Sequence, residues 1–96
     1  MKVIHKLALV NTKAVEAWLP KSVKFLHVGM QDFPTVWYET DMQDLVRWEV
    51  TAVWTCEAPP ENATYLGTAV GSLVWHLYAR TIPNTVEDAN FPKLSQ

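Results

Sequence analysis

Apolar and polar side chains alternate along much of this chain with a period of two, which is the pattern of half-buried β-strands. The clearest run covers residues 46–56, where one set of alternate positions holds Val46, Trp48, Val50, Ala52, Trp54 and Cys56. Four of the five positions between them are polar. Because successive side chains of a strand point to opposite faces, this run predicts a central strand with one buried face. We therefore assign Trp48, Val50 and Trp54 to the core, together with Leu77.

Shorter β-rich runs predict further strands at residues 2–10, 22–31, 35–39, 65–70 and 73–80. Pro34 lies between two of them, and a short turn before it predicts a hairpin. Breaks are expected at Leu19-Pro20-Lys21 and at the stiff Pro59-Pro60 pair. Asp41 could cap a helix over residues 41–48, but the strict alternation that follows favours a strand there.

These elements predict a mainly β fold, in which six to seven short strands form a small antiparallel sheet, barrel or sandwich. Residues 1–80 form the single domain. Residues 81–96 lose all periodicity and contain two prolines, so they form either an irregular tail or an oligomerisation arm whose Phe91 and Leu94 dock on a neighbouring subunit. Exposed sheet edges in so small a domain also favour a homo-oligomer.

Charge argues against a nucleic-acid polymer as the partner. The formal net charge is -2, and the eight basic residues are spread along the chain without an obvious stripe. No apolar run approaches the roughly 18 to 20 residues that span a bilayer. With a lone cysteine and no signal-peptide pattern, we expect a cytoplasmic location and no membrane association.

The residues that usually perform catalysis or bind metals show no matching pattern. His5, His27 and His76 lack metal-ligand spacing, and Cys56 falls on the apolar face of its strand, as an inert core cysteine does. We therefore predict no enzymatic activity, no metal and no cofactor. Turnover lost on replacing His76 or Cys56, with folding intact, would contradict that expectation.

The aromatic residues suggest one candidate binding site. Tyr78 shares a strand face with His76 and Arg80, and Trp37 adjoins Tyr38 on a strand where one of the two rings must point outward. An aromatic ring beside a guanidinium can stack on a base and hold a phosphate. The predicted ligand-binding residues are therefore Trp37, His76, Tyr78 and Arg80. The alternative is that these rings form the core.

Several segments in order carry a family resemblance: Ile4-His5-Lys6, Leu19-Pro20-Lys21, Leu26-His27-Val28-Gly29-Met30-Gln31, Tyr65-Leu66-Gly67-Thr68 and Val74-Trp75-His76-Leu77-Tyr78. Together they resemble a small, largely phage-encoded family of unknown function, over about residues 1–80. The resemblance implies a phage or prophage origin and a compact β-rich domain, and it implies no activity. Members often carry a Gly-Thr-Gly-His stretch, which residues 53–60 of this chain lack.

These observations predict a phage-encoded, non-enzymatic binding protein that acts in host interaction or anti-defence. One form of it is an oligomer that sequesters a small, for example cyclic, nucleotide signal. The alternatives are a protein that inhibits a host or defence enzyme through its acidic surface, and a minor virion component.

Overall fold

The structure, a computed structural model, describes residues 1–83. These residues form seven β-strands and no helix: β1 (Val3–Ala8), β2 (Ala14–Pro20), β3 (Lys24–Met30), β4 (Pro34–Thr40), β5 (Leu45–Trp54), β6 (Thr64–Val70) and β7 (Val74–Thr81). The predicted mainly β fold is confirmed. The predicted arm, with Phe91 and Leu94, lies outside the described residues.

The strands form two antiparallel sheets that pack into a sandwich. Sheet A has the order β1-β4-β3, and sheet B has the order β2-β5-β7-β6. β3 and β4 pair as the predicted hairpin. β7 extends through Thr81, one residue past the predicted domain boundary.

β2 is the strand that the sequence pattern did not predict. Its inward positions are Val15, Ala17 and Leu19, but alanine gives a weak apolar signal and the large Trp18 lies on the exposed face. Pro20 is tolerated because it is the last residue of an edge strand. The expected break at Leu19-Pro20-Lys21 therefore marks the end of a strand.

The core lies between the inner faces of the two sheets. Its fully or nearly fully buried members are Leu9, Val28, Val36, Val50, Ala52, Ala69, Leu77 and Ala79. Val50 and Leu77 are completely buried, and Trp48 packs against this cluster, so these three predicted core residues are confirmed. The predicted burial of Trp54 is wrong, because 48% of its surface is exposed.

One end of the sandwich is closed by a ring contact between the sheets. Phe25 of β3 meets Trp48 of β5 edge to face, with ring centroids 5.4 Å apart. The indole N–H of Trp48 donates a 3.1 Å hydrogen bond to the carbonyl of Pro20. Trp48 therefore combines a buried ring with a satisfied polar group, which is the arrangement that stabilises a core tryptophan.

At the other end, β5 stops at Trp54 and the chain turns sharply. The N–H of Glu57 donates to the carbonyl of Trp54 at 3.0 Å, and Cys56 inside this turn has a φ of 80°. Cys56 is exposed, so its predicted place in the core is wrong. The alternation continued in the sequence after the strand had ended.

Candidate functional site

The open end of the sandwich contains a cleft of about 660 Å³. It lies between three connections, β1–β2, β3–β4 and β6–β7, and the last residue of β5. Its apolar lining includes Leu9, Met30, Phe33, Trp54, Leu73 and Trp75. The volume falls within the range of about 300–1,000 Å³ that is usual for small-molecule sites.

Two tryptophans form an aromatic surface in this cleft. Trp54 and Trp75 are cross-strand partners on β5 and β7, with ring centroids 5.4 Å apart and ring planes inclined by 53°. Trp75 packs against the core, whereas Trp54 is half exposed. A large aromatic ring that is held on one side and open on the other is a common anchor for a ligand.

An ion pair fixes the position of the exposed ring. Nζ of Lys13 lies 2.7 Å from Oε2 of Glu57 and 5.5 Å from the centroid of the Trp54 ring. Oε1 of Glu57 also accepts a 2.6 Å hydrogen bond from the backbone N–H of Trp54. The bonds from Lys13 and from Trp54 lower the pKa of the Glu57 carboxyl below its ordinary value, so this side chain stays ionised in the neutral range.

Five further side chains that line the cleft are polar and can donate or accept hydrogen bonds. These side chains are Asn11, Thr12, Gln31, Asp32 and Ser72. Nζ of Lys6 donates a 2.9 Å hydrogen bond to Oε1 of Gln31 and so orients that amide. Flat apolar surface with a few polar groups around it suits a small ligand that has a planar ring and polar substituents.

Three of the predicted ligand residues lie together on the outer face of sheet B. Nε2 of His76 lies 2.8 Å from the hydroxyl of Thr55, and Nδ1 lies 3.0 Å from that of Thr68. Both ring nitrogens of His76 therefore already have partners in the chain.

The neighbours of His76 on this face also have partners. Tyr78 packs against Tyr65 with ring centroids 5.5 Å apart, and Nε of Arg80 donates to Glu49 at 2.9 Å. The Arg80–Glu49 ion pair offsets the positive charge that a phosphate would require, although the guanidinium of Arg80 retains other N–H donors. The face remains a predicted site, with its polar groups partly engaged.

Trp37, the fourth predicted residue, lies on the other sheet. It points away from the core on β4, on the face opposite the buried Val36. Its ring packs against His27 with centroids 5.5 Å apart, and Lys6 is its cross-strand partner on β1. Because the outer faces of a sandwich point in opposite directions, one chain does not bring Trp37 to His76, Tyr78 and Arg80.

A family described as a domain of unknown function, DUF7352, matches residues 1–88. The chain belongs to the DUF7352 family. No curated protein and no solved structure matches this DUF7352 domain significantly. The predicted membership of a family of unknown function is thus supported.

Residues 1–83 contain no group of three or more His, Cys, Asp or Glu side chains placed to hold a metal ion. Within the same part of the chain, no helix is long and apolar enough to cross a membrane.

Sequence reasoning missed the residues that build the cleft. Lys13 and Glu57 are 44 positions apart, and nothing in the sequence pairs them. Trp54 and Trp75 both belong to alternating runs in the sequence. Such runs identify the inward face of a strand, but they do not show where the opposite sheet ends and leaves that face exposed. A tryptophan at the last position of a strand, directly before a polar turn, was the one available signal.

Proposed function

We propose that this DUF7352 domain is a non-enzymatic binding protein whose end cleft takes a small nucleotide. The observation that carries the proposal is the half-exposed Trp54, which is fixed against Trp75 and Lys13 inside a cleft of ligand-binding size. Stacking of a base on an aromatic side chain contributes about 1–3 kcal/mol per base. A fixed ring loses little conformational freedom on binding, which favours affinity further.

The polar groups of the cleft have complementary roles in this proposal. Lys13 lies over the Trp54 ring, and its ammonium keeps one N–H beyond the two bonds to Glu57, so it can donate to a phosphate while it remains paired. Asn11, Gln31 and Ser72 supply hydrogen bonds for the base and the sugar. A single lysine, whose charge Glu57 partly offsets, suits a ligand with few phosphates, which agrees with the acidic charge of the whole chain.

The wider biological role is proposed from the phage origin that the family resemblance implies. We propose a phage-encoded protein of the host cytosol that acts in host interaction or anti-defence by sequestering a nucleotide signal as a homo-oligomer. The resemblance to a largely phage-encoded family and the absence of a catalytic motif in the sequence support this role. The sheet-B residues His76, Tyr78 and Arg80, and Trp37 on sheet A, remain the second place where such a ligand could bind.

Calorimetric titration with a panel of mononucleotides, dinucleotides and cyclic nucleotides tests the proposal. The panel is guided by native mass spectrometry of the protein purified from expressing cells, which shows any bound nucleotide. We expect Trp54→Ala to weaken binding at least tenfold. Trp18→Ala is the matched control, because Trp18 is 53% exposed and lies on the outer face of sheet B, away from the cleft.

Two results would contradict the assignment to the cleft. Equal affinity of Trp54→Ala and the wild type would exclude stacking on Trp54. Binding that is abolished by Arg80→Ala or Trp37→Ala, while Trp54→Ala binds normally, would move the site to a sheet face.

Inhibition of a host or defence enzyme is the second candidate function. The apolar side chains of Val70, Leu73 and Val74 are 68%, 53% and 37% exposed around the β6–β7 turn beside the cleft. Exposed apolar side chains grouped in this way are typical of a protein-binding surface. Capture of a specific host enzyme that is lost in Val70→Ser, while nucleotides do not bind, would favour this function.

A further inference from the structure

Four strands lie at sheet edges, and three of them carry a feature that hinders pairing with another chain. β3 and β6 each have a register shift, after Phe25 and after Tyr65, and these two edges face each other. β2 ends in Pro20, which has no backbone N–H. β1 has none of these features, and its six residues pair with β4 in unbroken register.

The direction of the backbone groups on β1 follows from one hydrogen bond. The N–H of Leu9 donates to the carbonyl of Pro34 at 2.9 Å, which continues the β1–β4 register by one residue. In an antiparallel ladder, residues that bond to the partner strand alternate with residues that point away from it. The backbone groups of Ile4, Lys6 and Ala8 therefore point to the free edge, where no strand of residues 1–83 pairs with them.

β2 is a protected edge, because the backbone groups that face solvent include those of Pro20. The N–H of Ala52 donates to the carbonyl of Lys13 at 2.7 Å, so the odd-numbered residues of β2 bond to β5. Glu16, Trp18 and Pro20 then face the free edge, and Pro20 removes a donor there.

We propose that β1 pairs antiparallel with β1 of a second copy of this chain. The pairing joins the two copies of sheet A into one six-stranded sheet. A two-fold axis brings identical strands together in antiparallel orientation, so a second copy presents to this edge a strand of the required direction. This inference rests on the β1 edge alone and is independent of the ligand proposed for the cleft.

Overlap and charge along β1 together select the register of the pair, because an axis nearer either end of the strand would pair only a few of its residues. A two-fold axis at Lys6 would place Lys6 opposite its own copy. An axis at Ile4 would place Lys2 opposite Lys6 of the other copy. Both arrangements pair like charges, which destabilises a sheet. An axis at His5 places Ile4 opposite Lys6, and the backbone groups of both point to the free edge. The Ile4 side chain, 63% exposed in the monomer, then packs on the aliphatic part of Lys6.

Sedimentation of the full chain over a concentration series tests the proposal. We expect a reversible dimer whose dissociation constant rises at least tenfold in Ile4→Pro. Proline at this position removes an N–H that points to the free edge and leaves the β1–β4 bonds intact. Trp18→Pro is the matched control on β2, where the N–H also points to a free edge, and this variant should dimerise like the wild type.

Ile4→Lys keeps the backbone donor and places a second positive charge opposite Lys6, so it should weaken the dimer without relying on proline. A wild-type chain that stays monomeric throughout the series would overturn the proposal. Dimerisation of both Ile4 variants at wild-type strength would do the same. Nucleotide binding is measured separately on monomeric Ile4→Pro, so the two proposals can fail independently.

Disulfide trapping tests the register. With the axis at His5, the Cβ atoms of the two His5 residues lie roughly 4.5–5.5 Å apart, close enough for a cross-link after small adjustments. His5→Cys in a Cys56→Ser background should therefore form a covalent dimer on oxidation. Ile4→Cys in the same background should not, because the two Ile4 residues are offset along the strands. The reverse result would overturn this register.

Discussion

The backbone N–H of Trp54 donates a 2.6 Å hydrogen bond to Oε1 of Glu57, three residues further along the chain. The same carboxylate holds Lys13, whose Nζ lies over the Trp54 ring. One acidic side chain therefore joins the end of β5, the turn that follows it and the β1–β2 connection. This explains how an exposed tryptophan is kept in a defined position at the cleft.

The two inward-facing tryptophans of β5 should differ in their contribution to stability. Trp48→Ala removes a ring packed against Phe25 and the hydrogen bond to Pro20, so we expect the free energy of unfolding to fall by about 3 kcal/mol. Trp54→Ala removes a half-exposed ring and should cost about 1 kcal/mol. Urea denaturation of both variants measures the difference. Equal losses would show that Trp54 is buried in solution.

Glu57→Gln should lower stability in a pH-dependent way. The bonds from Lys13 and Trp54 lower the folded-state pKa of Glu57, so the unfolded chain binds its proton more readily. The stabilisation is therefore complete above the ordinary value of 4.5 and is lost as the pH falls through the folded-state pKa. Urea midpoints should differ between variant and wild type at neutral pH and converge in strong acid.

Glu16→Gln is the control for that experiment, because Glu16 pairs with Arg47 at a longer distance of 3.7 Å. We expect it to change the neutral midpoint less than Glu57→Gln does. A Glu57→Gln midpoint equal to that of the wild type at neutral pH would mean that the Lys13 pair contributes nothing measurable to folding.

Cys56→Gly should stabilise the protein. Cys56 has a φ of 80° at the second central position of the turn closed by Trp54 and Glu57, where glycine is favoured because it has no Cβ. We expect the free energy of unfolding to rise by about 0.5–1 kcal/mol. Cys56→Ala retains the Cβ and should give no such gain. Equal stability of the alanine and glycine variants would show that the turn is unstrained.

Gly67→Ala should be strongly destabilising. Gly67 has a φ of 155°, and a Cβ there would lie 2.9 Å from Cβ of Val28, in the place where β6 meets β3. We expect a loss of about 2–3 kcal/mol from crowding and backbone strain. Gly71→Ala is the comparison, because its Cβ would come close only to the flexible side chain of Met30, at 3.2 Å or more. Thermal or urea unfolding of both variants should show a clearly smaller loss at Gly71.

The sequence by itself determined the class of fold and much of the core. Alternation over β5 predicted a strand with Trp48 and Val50 inside, because a strand that is buried on one face and solvated on the other leaves that pattern in the residues themselves. The hairpin at Pro34 was equally local, since proline ends one strand and begins the next. Family membership also follows from sequence alone.

The tertiary structure decided which strand belongs to which sheet and how far each sheet extends. That assignment separates Trp37 from His76, and it leaves Trp54 uncovered although the residue lies on the same face of β5 as Trp48. Alternation shows which face of its strand a side chain lies on, but burial also requires residues of the opposite sheet to pack against that side chain. The cleft could not be predicted because connections far apart in sequence form it, and only the packing of the two sheets brings them together.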